Sequence, residues 1–142
     1  MSQTALYPTD FSEVSLKVVD VFDQLKAMGV DKVILLHVVD ERGYHAMEAY
    51  ANLNDLQKQN IEHAKSELEN LAQKLRDQGV EVIPKLEIGM PVQQILKAEK
   101  NDQVSLIVLG SHGKSNMADI FLGSVAEKVI RKCTKPVFVV KR

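Results

Sequence analysis

Three glycines and a serine in the last third of the chain are spaced as a cradle for a phosphate. Gly110, Gly113, Gly123 and Ser124 form the pattern G-x2-G-x9-G-S within GSHGKSNMADIFLGS. At a background glycine frequency of about 7%, such spacing is rare enough by chance to call for an explanation. Gly110 would let a ligand approach a strand end, and Gly113 would allow a tight turn at positive φ. Gly123 and Ser124 would open a helix, whose free N–H groups and dipole favour a phosphate. His112 lies within the loop, where a histidine can touch a phosphate or simply be solvated. The Gly113-Lys114-Ser115 triplet is not a Walker loop, because that motif needs glycine where Val108 stands, and no G-x-G-x-x-G occurs here. A ligand-free reading also fits. Ser124-Val125-Ala126-Glu127 has the form of a capping box, and Gly110 can simply end a strand.

Asp10 is a second candidate. Asp10-Phe11-Ser12-Glu13 reads as a helix start in which Asp10 caps free N–H groups. The same carboxylate, at the end of a strand, could accept hydrogen bonds from ribose hydroxyls or contact a metal. His37 lies in an apolar run and is expected to be a core residue. His45 and His63 have no partners at metal-ligand spacing. Neither H-E-x-x-H nor G-x-S-x-G is present, so metal-dependent hydrolysis and acyl transfer lack a motif.

These residues need a scaffold, and the hydrophobic pattern supplies one. Short apolar runs alternate with helical periodicity. ALYP at 5–8, VILLHVV at 33–39, VEVIPKLEI at 80–88, SLIVL at 105–109 and VFVV at 137–140 read as strands. Between them, apolar residues recur at three- and four-residue steps over 12–28, 53–75, 91–96 and 125–133, marking four helices. Gly29 and Gly79 close the first two, Pro91 suits the first turn of the third, and Pro136 stops the last. Strands apolar on both sides, alternating with helices, predict an open, mostly parallel α/β sheet with helices on both faces. Pro84 cannot donate to a ladder and puts its strand at an edge. In such sheets ligands bind beyond the carboxyl ends of the strands, where Asp10 and the glycine cluster both fall.

The bulk numbers set limits. One domain over residues 1–142 is expected, with a formal net charge of −1 from 18 basic and 19 acidic residues. That balance gives no support to a nucleic-acid or membrane-surface partner. The single cysteine, Cys133, excludes an internal disulfide and fits a reducing compartment. MSQTALYPTD lacks the basic and apolar regions of a signal peptide, and no apolar run reaches 18 residues, so a cytoplasmic location is expected.

LYPTDFS, LLHVVD, the G-x-P at 89–91 and GSHG-x9-GSV with KPVFVVKR at the end together resemble the universal stress protein family, over nearly the whole chain. The glycine pattern is similar to that of its ATP-binding branch. The resemblance implies a Rossmann-like five-stranded parallel sheet of order 3-2-1-4-5. It also implies ATP, with Mg2+ or Mn2+, as ligand. By the same resemblance Asp10 contacts ribose and the backbone at Val38 recognises adenine. Pro8 and Thr9 line the base and ribose side, with Leu109 close by. Gly110, Gly113, Gly123, Ser124 and Val125 surround the sugar and phosphates, joined by His112. It implies a homodimer through strand 137–140, where an uncovered apolar edge independently invites pairing. The function implied is a nucleotide-dependent stress or signalling module. The alternatives are a nucleotide-free dimeric scaffold and a slow ATPase or phosphotransferase.

Overall fold

The computed structural model describes residues 2–43, 53–101, 103–112 and 122–141. Its elements run β1 (Gln3–Pro8), α1 (Glu13–Leu16), a 3-10 turn (Lys17–Val21), α2 (Phe22–Ala27), β2 (Val30–Asp40), α3 (Leu53–Asp77), β3 (Glu81–Gly89), α4 (Pro91–Glu99), β4 (Val104–Gly110), α5 (Ser124–Lys132) and β5 (Val137–Val140). The five strands form one parallel sheet of order β3-β2-β1-β4-β5. The order reverses between β1 and β4, which start the two opposite-going halves. Pro84 lies on edge strand β3, where a missing N–H leaves no ladder bond unmade.

Alternation along the strands sends neighbouring side chains to opposite faces and creates two cores. On one face Ala5, Tyr7, Val33 and Leu35 pack with Val18, Phe22 and Leu25 of the first helical segment and Leu68, Leu71 and Leu75 of α3. On the other, Leu6, Ile34, Leu36, Ile107 and Leu109 meet Ile95 of α4 and Ala126 and Val129 of α5. Both faces are therefore covered, which is what apolar strands require.

Three local expectations change. The helix read over 12–28 is interrupted by the 3-10 turn at Lys17–Val21, where three valines in five residues disfavour regular α geometry. β1 is six residues long, not four. Along β2, full burial stops at Leu36, and His37 to Asp40 are half-buried because they run past the end of β1 into a cleft. Gly29 and Gly79 do end their helices with positive φ, 103° and 88°.

Candidate functional site

Beyond the carboxyl ends of β1 and β4 lies a cleft of about 630 Å³. Its first wall is the turn from β1 into α1. Asp10 does not cap that helix. Ser12 is the N-cap, its hydroxyl accepting from the Ser15 N–H, while Asp10 Oδ1 accepts from the Ser12 N–H at 2.9 Å. The capping role thus passes two residues along, and Asp10 lines the cleft. The turn is held by an internal network. The Ser15 hydroxyl donates to Thr9 Oγ1 at 2.7 Å, the Phe11 N–H donates to the same oxygen at 3.0 Å, and buried Tyr7 donates its hydroxyl to the Ser15 carbonyl at 2.6 Å. Burial pushes the Tyr7 phenol above its ordinary range, against the hydrogen bonding around Ser15 and Thr9. Phe11 sits in the left-handed region with φ 62°, an uncommon conformation for a bulky residue.

The end of β2 forms the second wall. β1 stops at Pro8, opposite Leu36, and the Thr9 N–H donates to the Leu36 carbonyl at 2.9 Å. In a parallel strand, the N–H and C=O of alternate residues face the same side. Val38 therefore turns a backbone donor and acceptor to the side where β1 has ended. His37 is not a core residue. It lines the cleft, its Nδ1 lies 2.9 Å from the Thr9 carbonyl and its ring packs on Phe11 with centroids 4.5 Å apart. Because a carbonyl only accepts, Nδ1 carries the proton. Asp40 is clasped by Arg42, which donates to both carboxylate oxygens at 3.1 and 2.7 Å. Those bonds hold the Asp40 carboxyl below its usual range.

β4 and α5 close the site. Ser111 joins them: its N–H donates to the Val140 carbonyl and its carbonyl accepts from the Gly123 N–H, both at 2.8 Å. His112 is buried rather than solvated, with Nδ1 2.8 Å from Ser111 Oγ and Nε2 without a hydrogen-bond partner among the described residues. The residue at the head of α5 is Gly123, so the capping-box reading of Ser124 fails. Ser124 is the first helical residue, no side chain among the described residues caps the helix, and Glu127 pairs with Arg131 instead of reaching back. Glu127 makes the first intrahelical bond, to Gly123 O. The N–H groups of Ser124, Val125 and Ala126 are left without helical partners, beside the cleft.

Ten of the eleven expected residues line this one cleft: Pro8, Thr9, Asp10, Val38, Leu109, Gly110, His112, Gly123, Ser124 and Val125. Gly113 lies outside the described residues, as does His45. Sequence reasoning missed the α3 wall of Gln57, Asn60, Ile61 and Ala64, and Ile95 of α4. Gln57 is buried despite its polarity, which helical periodicity did mark through its place on the apolar face of α3. No lysine or arginine lines the cleft among the described residues, whereas Asp10 and Asp40 do. No cluster of three metal-ligating side chains occurs among the described residues, and no helix there is long and apolar enough to cross a membrane.

A profile of the universal stress protein family matches residues 1–141. Universal stress protein MJ0577 of Methanocaldococcus jannaschii is 41% identical, with all of this chain and 96% of that protein covered. The solved structure of MJ0577 superimposes with a TM-score of 0.87 over 99% of this chain and 96% of its own. Two more distant structures have the same fold. A universal stress protein in complex with cAMP is 23% identical with a TM-score of 0.67, covering 98% of this chain and 96% of that one. An Arabidopsis thaliana family protein with AMP bound is 18% identical with a TM-score of 0.65, covering 99% and 92%. Fold and near-complete sequence match agree: the chain belongs to the universal stress protein family.

Proposed function

We propose that the cleft binds an adenine nucleotide, ATP foremost, and that the protein acts as a nucleotide-dependent stress or signalling module. The observation that carries this is the meeting, in one cleft, of three kinds of group a nucleotide needs. Asp10 offers a carboxylate for ribose hydroxyls, Val38 offers a backbone donor and acceptor for a base edge, and α5 offers uncapped N–H groups for phosphate. Thr9 and Pro8 would flank base and ribose, Leu109 and Gly110 the floor, and Gly123, Ser124 and Val125 the phosphates. His112, buried with a nitrogen that has no partner among the described residues, fits a wall completed by an anionic ligand. The cAMP and AMP complexes, at their low identity, speak for the fold as one that accommodates adenine nucleotides.

A divalent cation, Mg2+ or Mn2+, fits the charge balance. With no cationic side chain on the described lining, a polyphosphate is best taken with its metal. Asp10 is the carboxylate to face it, because both oxygens of Asp40 are taken by Arg42. The ion would neutralise phosphate charge. We also propose that two copies pair through β5, an edge strand whose Val137, Phe138 and Val139 remain half-buried in the isolated chain.

Purified protein, heat-denatured, should release adenine nucleotide into the supernatant, or else take up added ATP at one equivalent per chain. Neither release nor uptake would defeat the reading and favour a nucleotide-free scaffold.

A further inference from the structure

We infer that Gly110 is a positioning residue: its missing side chain seats the first turn of α1 and so holds Asp10 in place relative to Gly123 and Ser124. The inference rests on the nucleotide reading above but assigns Gly110 a different task from making room for ligand. Gly110 is not among the glycines with positive φ, so its backbone conformation suits any residue. The requirement is space, and the chain itself fills that space. A Cβ at Gly110 would lie 3.0 Å from both Cα and N of Ser15 and 3.2 Å from the carbonyl carbon of Val14. Ordinary carbon contacts lie at about 3.5–4.0 Å. All three atoms are backbone of a helical turn, which cannot rotate aside as a side chain can. An alanine here must therefore push the turn by roughly 0.5 Å to restore ordinary contact.

Such a push reaches the ligand wall through Ser15. Its N–H donates to Ser12 Oγ, its hydroxyl to Thr9 Oγ1, and its carbonyl accepts from Tyr7. The Ser12 N–H in turn holds Asp10 Oδ1. With Phe11 fixed at φ 62°, the turn has little freedom to absorb the shift locally. On the other side Gly110 is bonded directly to Ser111, whose carbonyl holds Gly123. Beside the β1–β4 ladder, Gly110 is thus a direct contact between the carboxylate wall and the phosphate wall, and its size limits how closely they approach.

A double-mutant cycle separates this role from direct ligand contact. ATP with magnesium is titrated into the wild-type chain, Gly110→Ala, Asp10→Ala and the double variant. Loss of a charged hydrogen bond predicts about tenfold weaker binding for Asp10→Ala. Gly110→Ala should weaken binding about tenfold through misplacement. If Gly110 acts through Asp10, adding Asp10→Ala to Gly110→Ala should cost no more than about threefold further. Losses that multiply to about a hundredfold would overturn the inference while leaving the nucleotide reading standing. Wild-type protein that binds no ATP would overturn both. Should Gly110→Ala fail to fold, Ser15→Ala replaces it in the same cycle. Cutting the Ser15–Thr9 link without overlap should again give less than multiplicative losses with Asp10→Ala, and full multiplication there would equally overturn the inference.

Discussion

Among the described residues, the two ends of the sheet each bury a polar side chain with one unpartnered atom, and they use it in opposite ways. Where β4 and β5 begin, Glu99 is fully buried, and Oε1 accepts from the Thr134 N–H, the Thr134 hydroxyl and the Lys135 N–H. Lys135 also reaches the Val104 carbonyl with its ammonium at 2.8 Å, so this cluster closes on itself. Glu99 Oε2 alone is left over. Where β1 and β4 finish, His112 Nε2 is left over, but its neighbours are the rim of an open cleft and the uncapped start of α5. A buried orphan atom therefore does not by itself mark a site. The surrounding donors decide: at one end they are spent on the protein's own carboxylate, at the other they face space.

The largest test of that contrast is Glu99→Ala. It strands two backbone N–H groups and the Thr134 hydroxyl, and should destabilise the fold by about 3 kcal/mol in denaturant unfolding. ATP affinity of the folded fraction should stay unchanged, because the lesion is at the sealed end. A parallel loss of affinity would merge the two regions into one.

Opposite pH limbs should follow. Desolvation would raise the Glu99 carboxyl, but the hydrogen bonds from Thr134 and Lys135 outweigh it and hold the group below its ordinary value of 4.5. A depressed acid stabilises the fold above its unfolded value and loses that contribution as pH falls through the folded one. The advantage of wild type over Glu99→Gln should therefore shrink on acidification below about 4.5. Tyr7 behaves in reverse. Its raised phenol contributes stability that is complete below 10.0 and is lost as pH climbs beyond. Tyr7→Phe should cost about 1 kcal/mol at neutral pH, through the lost bond to Ser15, and flatten the alkaline limb. Stability curves that respond alike in both variants would contradict this assignment.

The smallest effects distinguish the two helix starts at the cleft. Ser12→Ala removes a true N-cap and should cost about 1 kcal/mol. Ser124→Ala removes no cap and should change thermal stability by less than about 0.5 kcal/mol, while weakening ATP binding. Equal thermal losses would restore the capping box.

Those two serines also show where sequence legibility ended. Strand and helix order, the edge position of Pro84 and the gathering of Asp10 with the glycine cluster all follow from local period and from one general rule about strand ends. What could not be read depends on contacts between distant segments. Asp10 fits a cap by spacing, and only the turn geometry moves that role to Ser12. Gly110 lines the cleft as its spacing suggests, but the atoms that its missing side chain clears belong to α1, nearly a hundred residues earlier in the chain. Glu99 carried no motif, since its partners at Thr134 and Lys135 are brought to it by the β4–α5–β5 crossover. His37 was judged by the apolar run around it, although β1 ends before reaching it.

The most direct measurement is calorimetric titration of ATP with magnesium into wild type and Gly123→Val. Gly123 has φ −62°, which valine adopts without strain, so the fold should survive while the branched side chain obstructs the head of α5. Wild type should bind one ATP per chain, and Gly123→Val, unfolding cooperatively as wild type does, should show at least a tenfold loss. Wild-type affinity in the variant would contradict a phosphate site at Gly123 and Ser124.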